Sequence, residues 1–172
     1  ATDAQGRLLW SNWSGIENAY PAARAAPADE AELAALLPRA AAPIRPVGAG
    51  HSFTALVPTE GTLLSLDRMS GLVAADRTAI TATVRAGTRL SALGPALAGV
   101  RQEMPNLPDI NKQTLAGALA TGTHGTGKDY TALHGAVTHM RLVTPDGRVR
   151  ECSRDVEPEL FHAARVSLGA FG

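Results

Sequence analysis

Cysteine is nearly missing from this sequence. A single residue, Cys152, stands in 172, which excludes an internal disulfide framework; with no partner cysteine and no metal-ligand spacing, a buried free thiol is expected. Charge of one sign is missing too. Sixteen Lys and Arg balance sixteen Asp and Glu, so no global field concentrates nucleic acid or an anionic membrane, and any anion must be held by local geometry. No apolar run approaches the roughly 20 residues that a membrane-crossing helix requires. Repeats, low-complexity tails and linkers are also absent. The expectation is a soluble chain, cytoplasmic or periplasmic, and neither composition nor a start at Ala1 chooses between the two.

A chain of this length suits one compact domain, or two small lobes sharing a core. WSNWSG (10–15) reads as an entry strand, with Trp10 and Trp13 packing it on the body or, alternatively, touching a ligand. Asp29 can cap a short helix whose stripe is Leu33, Leu36 and Leu37. IRPVG (44–48), LLSL (63–66) and AITATVRAG (79–87) read as strands, and TRLSALGPALAGV (88–100) as a helix weakened midway by Gly94 and Pro95. Pro145, Asp146 and Gly147 supply turn chemistry between two strands within 139–153, and residues 157–172 form a last helix. Strands and helices in this mixed order predict an α+β or mixed α/β fold.

Two glycine-rich stretches remain. In PVGAGHSFTALV (46–57), Gly48 and Gly50 can turn main-chain amides toward a diphosphate, or simply make a tight turn; the spacing matches neither a Walker loop nor the Rossmann GxGxxG. TGTHGTG (121–127) follows a run of Ala and Gly with almost no side-chain bulk. A core element gains little from such residues, so a flat or phosphorylated ligand is expected against the stretch 114–127. His124 there can serve as ligand, base or structural hydrogen-bond partner.

These strings, together with VRAGTRLSALGPAL, MPNLPDINKQTLAGALATGTHGTG, MRLVTPDGRVRECS and AARVSLGAFG in that order, resemble the FAD-binding domain of the aldonolactone and alditol oxidases. That group belongs to the vanillyl-alcohol-oxidase superfamily, and the likeness runs from about residue 10 to residue 172. The resemblance implies a two-lobed α+β FAD-binding domain over residues 1–172, with a smaller lobe at about 15–70 and a larger one at about 71–172. It implies that Val47, Gly48, Ala49, Gly50, His51 and Ser52 wrap the diphosphate. Thr114, Gly117, Leu119, Gly122, Thr123, His124, Gly125 and Thr126 would then lie along the flavin and its ribityl chain.

In many relatives the histidine after the first glycines is bonded to the 8α-methyl of the flavin, and His51 occupies that position; the other reading keeps His51 as a loop hydrogen-bond partner. Such a bond raises the flavin potential and favours alcohol oxidation. Pro108 matches a position beside the flavin that influences oxygen access and leans toward an oxidase, although a structural proline explains it equally. No metal is implied. The implied activity is oxidation of a sugar-derived aldonolactone or alditol, with hydride passing to flavin and oxygen giving hydrogen peroxide. No catalytic base is assigned within this chain. Relatives carry their substrate domain beyond LGAFG, so a second chain or segment is the expected partner. A dehydrogenase using a protein acceptor and a non-enzymatic nucleotide-binding module remain the alternatives.

Overall fold

The computed structural model describes residues 1–172. The N-terminal part is built on a parallel sheet of β3 (Ala23–Ala25), β4 (Ile44–Val47) and β5 (Thr62–Ser65), in the order β3-β5-β4. A short hairpin precedes it, β1 (Trp10–Ser11) with β2 (Asn18–Ala19). Between β3 and β4 lies α1 (Glu30–Leu36), continued by a 3₁₀ turn to Arg39. Its start follows from local chemistry. Asp29 caps the helix by accepting from the Glu32 amide at 2.8 Å, while the Glu32 carboxylate accepts from the Ala28 amide at 2.8 Å. The predicted stripe turns inward, and Leu33 and Leu37 pack on Leu64 of β5.

The remaining elements are two antiparallel hairpins, three α-helices and a 3₁₀ turn at Leu133–Ala136. β6 (Leu72–Asp76) pairs with β7 (Thr81–Val84), and β8 (His139–Val143) with β9 (Val149–Ser153). Leu90, Leu93 and Leu97 of α2 (Leu90–Gly99), Ala118 of α3 (Leu115–Ala120) and Leu133 form a second buried cluster, flanked by Leu72, Ala82 and Val84. The last helix is α4 (Pro158–Ala164), with Phe161 fully buried. Arg141 of β8 pairs with Glu30 of α1 at 2.6 Å, and Val143 packs beside Leu33 and Leu37. Cys152 is a buried free thiol, as expected, and burial pushes its pKa up.

Several expectations need correction. Residues 115–120, whose lack of side-chain bulk argued against a core element, form a helix with Ala118 1% exposed within the core; small side chains there let α3 pack closely on α2. The strand expected at 79–87 is confined to Thr81–Val84 and has a partner, β6, that the sequence reading missed. Pro95 does not break α2. The carbonyl left without its amide partner belongs to Ser91, which is exposed to water, and a glycine before the proline avoids the Cβ clash that disfavours helix there. The final helix stops at Ala164, well short of residue 172.

The turn after β7 joins the two regions. Gly87 donates to Met69 O at 3.0 Å, and a methyl group on it would overlap the carbonyl oxygen of Leu66. Backbone cannot give way as a side-chain tip can. Gly87→Ala should therefore destabilise the protein by ~1–3 kcal/mol. Gly99→Ala, which meets nothing within 4 Å at the end of α2, should instead be neutral or stabilise by up to ~1 kcal/mol. Urea unfolding of the two variants against wild type checks the contrast.

Candidate functional site

Strand β4 delivers the first glycine loop. Val47 ends the strand, and none of the amides of Gly48, Ala49, Gly50, His51 and Ser52 donates to a protein acceptor. All five residues are half-buried. Unpartnered amides in such a position need water or a ligand. Gly50 takes φ +69°, with Trp10 and Asn12 packed where its side chain would begin, a conformation that glycine adopts without strain. The loop is fastened from outside. The Trp13 amide donates to Gly50 O at 2.8 Å, and Asn12 Nδ2 to Ser52 O at 2.9 Å.

The second stretch begins at the cap of α3. Thr114 is 4% exposed, and its Oγ1 accepts from the Gly117 amide at 3.2 Å. The amides of Leu115 and Ala116 donate to Thr88 O at 2.7 Å and Ala86 O at 3.0 Å, and that of Ala118 to Thr114 O at 2.9 Å. The first turn of α3 thus has no amide left for an anion. Leu119 faces the α2 cluster. Beyond the helix, Gly122 takes φ +67° beside Val166, and Thr123 donates to Ala118 O and accepts from Leu133, each at 3.0 Å. His124 Nδ1–H donates to Gly125 O at 2.8 Å, since a carbonyl can only accept. Gly125 abuts Asn106 and Leu107, two residues before the half-buried Pro108, while Thr126 is exposed.

The two stretches meet at one point. A methyl group on Gly48 would overlap Thr114 Oγ1, so β4 and the cap of α3 are in direct contact. Gly122 to Thr126 are held by other partners, on the 106–107 segment, Leu133 and Val166. His51 makes no side-chain hydrogen bond within the protein, in contrast to His124. Trp13 is 66% exposed, so it is no wedge on the body. It lies instead on the His51 ring. Asn12 was missed altogether at the sequence level; asparagine is mostly a surface residue, and its place between two tryptophans carries no signal of the burial found here. Gly117 and Leu119 serve helix packing in this geometry, as does the Thr114 cap.

Fold and site define a class: an α+β domain that offers a glycine loop of unpartnered amides beside a capped, small-residue helix. The family described as "FAD binding domain" matches residues 21–153, and the chain belongs to it. It is 40% identical over 167 residues to an L-gulono-1,4-lactone dehydrogenase of Mycobacterium tuberculosis, covering 95% of this chain and 38% of that protein. It is 33% identical over 165 residues to the mitochondrial L-galactono-1,4-lactone dehydrogenase of Arabidopsis thaliana, covering 94% and 27%. An L-gulonolactone oxidase of Mus musculus is 33% identical over 129 residues, covering 75% and 29%. The chain thus spans between about a quarter and two fifths of the length of these relatives.

The Gly48–Thr114 contact can be tested by a double-mutant cycle. Gly48→Ala should cost ~1–3 kcal/mol through overlap, and Thr114→Ala ~1 kcal/mol through loss of the cap. Together they should cost less than the sum, because the second change removes the atom that the first collides with. Chemical denaturation of the four proteins gives the coupling, and simple additivity would place Gly48 away from Thr114.

Proposed function

We propose that this chain is the cofactor-holding part of a flavin-dependent oxidoreductase acting on a CH–OH group of a sugar-derived aldonolactone or alditol. The observation that carries the reading is the run of free amides at residues 48–52, within a chain of the FAD-binding family. FAD carries a diphosphate, and consecutive main-chain donors on a glycine loop are suited to its oxygens. When bound, FAD would supply the two-electron acceptor for a substrate hydride, and dioxygen would take up those two electrons with two protons to give hydrogen peroxide.

The residues of the chain divide the work of binding. Gly48 to Ser52 hold the diphosphate through their amides, with Val47 fixing where the loop leaves the sheet. The α3 segment and residues 122–126 form the surface for the flavin and ribityl chain, between a smaller and a larger lobe, where the exposed Thr126 hydroxyl and the second nitrogen of His124 are available as partners. Thr114 spaces the two surfaces. The loop around Pro108 bounds the flavin edge and governs what approaches it. The substrate-binding groups, and the base that takes the hydroxyl proton, belong to residues outside this chain.

His51 is the covalent anchor in this reading. The unprotonated nitrogen of the neutral ring would bond the 8α carbon of the flavin, the proton on the other ring nitrogen and one methyl proton would leave, and dioxygen would take up the two electrons released. The absence of any protein hydrogen bond to the imidazole favours this role, since neither nitrogen is otherwise engaged. Denaturing precipitation of the full-length protein should carry the yellow colour into the pellet, whereas His51→Ala should release all its flavin to the supernatant. Complete release from wild type would reduce His51 to loop structure.

A second reading replaces dioxygen with a carrier protein, and the relative at 40% identity, a dehydrogenase by name, favours it. Pro108 favours the oxidase. Reoxidation of the substrate-reduced protein separates them: the oxidase reading expects rapid recovery of flavin absorbance in air, and negligible recovery in air with fast recovery on adding a cytochrome would sink it.

A further inference from the structure

Trp13 and Phe53 are large aromatic side chains left 66% and 62% exposed, yet they are organised around one residue. The indole of Trp13 stacks on the His51 imidazole, with ring centroids 5.1 Å apart and planes 19° from parallel. The Phe53 ring meets the indole edge-on, at 6.2 Å and 90°. The backbone repeats the arrangement. The carbonyls of both neighbours of His51 are held from the same hairpin, that of Gly50 by the Trp13 amide and that of Ser52 by Asn12 Nδ2. Asn12 is itself 6% exposed, and its Oδ1 accepts from the Glu17 amide at 3.1 Å and from Ser14 Oγ at 3.2 Å. His51 is therefore fixed before and after in the chain, and on one ring face.

A stack covers the face of an imidazole and leaves its edge, which bears both nitrogens, uncovered. Bond formation at nitrogen occurs in the ring plane, so covering a face costs the reaction nothing while removing rotational freedom that would otherwise have to be lost at the moment of attack. The positive charge that the ring carries as its nitrogen bonds carbon, before the N–H proton departs, also lies over the electron-rich face of an indole. Phe53, edge-on to that indole, adds a second aromatic contact to Trp13.

We propose that Trp13 is a positioning residue for the covalent attachment of flavin to His51, stacking the imidazole in the orientation that bonds the 8α carbon. The inference rests on the reading of His51 as the anchor. It is separable from cofactor binding, because the diphosphate-facing amides do not depend on the indole ring.

The test uses full-length apoprotein mixed with FAD, following non-covalent binding by quenching of flavin fluorescence and covalent incorporation by flavin retained after denaturation. Trp13→Ala should bind FAD within about threefold of wild type, the size of an ordinary surface change. Its rate of covalent incorporation should fall roughly ten- to a hundredfold, as expected for a misplaced reacting group. Trp13→Phe, which keeps a flat ring, should recover most of the rate. Trp13→Leu, with apolar bulk and no π face, should stay slow, and it separates stacking from packing even if Trp13→Ala fails to fold. Equal incorporation rates in wild type and Trp13→Leu would overturn the inference while leaving the covalent bond intact. Parallel loss of binding and incorporation in every Trp13 variant would overturn it by assigning Trp13 to loop packing. No covalent flavin in wild type would remove the anchor on which it rests.

Discussion

The approach of Gly48 to the Thr114 hydroxyl sets the spacing on which the rest of the site depends. Thr114 is buried, it caps α3 through its side chain, and its backbone bridges to Arg89 at the start of α2. The same residue is therefore tied to both helices and, through van der Waals contact, to the end of β4. Any Cβ at residue 48 would push β4 away from the cap. Upstream, Gly87 sits against the Leu66 carbonyl while Thr88 and Ala86 accept the first amides of α3. From β5 to α3 the links are backbone contacts, which tolerate little displacement. The two leucine clusters supply burial; these close approaches decide where the loops stand relative to one another.

The hydrogen-bond accounting then separates scaffold from site. Amides at the start of α3 are all satisfied within the protein, so the dipole and donors of that short helix are already committed. Amides of residues 48–52 are not, although the two carbonyls flanking His51 are. The loop is thus held by its acceptors and presents its donors. A loop fastened through its own amides would keep its shape equally well but could offer nothing to a diphosphate. That asymmetry, rather than any charged side chain, is the feature of this chain of zero formal net charge on which the proposed diphosphate site rests.

Much of this was legible from residues alone where the signal was local. The Asp29 cap, the stripe of Leu33 and Leu37, the leucines of α2, and the turn at Pro145 to Gly147 each depend on neighbours a few positions away, and each stands where the pattern placed it. The core role of 115–120 has a clear origin. Lack of bulk argues against a core element in isolation, but a helix that must lie close against α2 and bring its cap to β4 needs small side chains for the same reason a ligand surface does. β6 escaped notice because only its first residue is even half-buried. Trp13 was misjudged because its partner is the ring of His51, distant in sequence, not the body of the fold.

The sequence by itself determined the two glycine stretches, the Asp29 cap and leucine stripes of the helices before and between them, and the presence of an imidazole directly after the first loop, because these rest on backbone freedom, periodicity and residue chemistry. Tertiary structure alone decided that Thr114 is the residue the first loop touches, that the helix amides are spent while the loop amides are free, and that an indole covers one face of His51. Such facts depend on which distant segments come within a few ångströms of each other. That is fixed by packing of the whole chain, and no local pattern of residues encodes it.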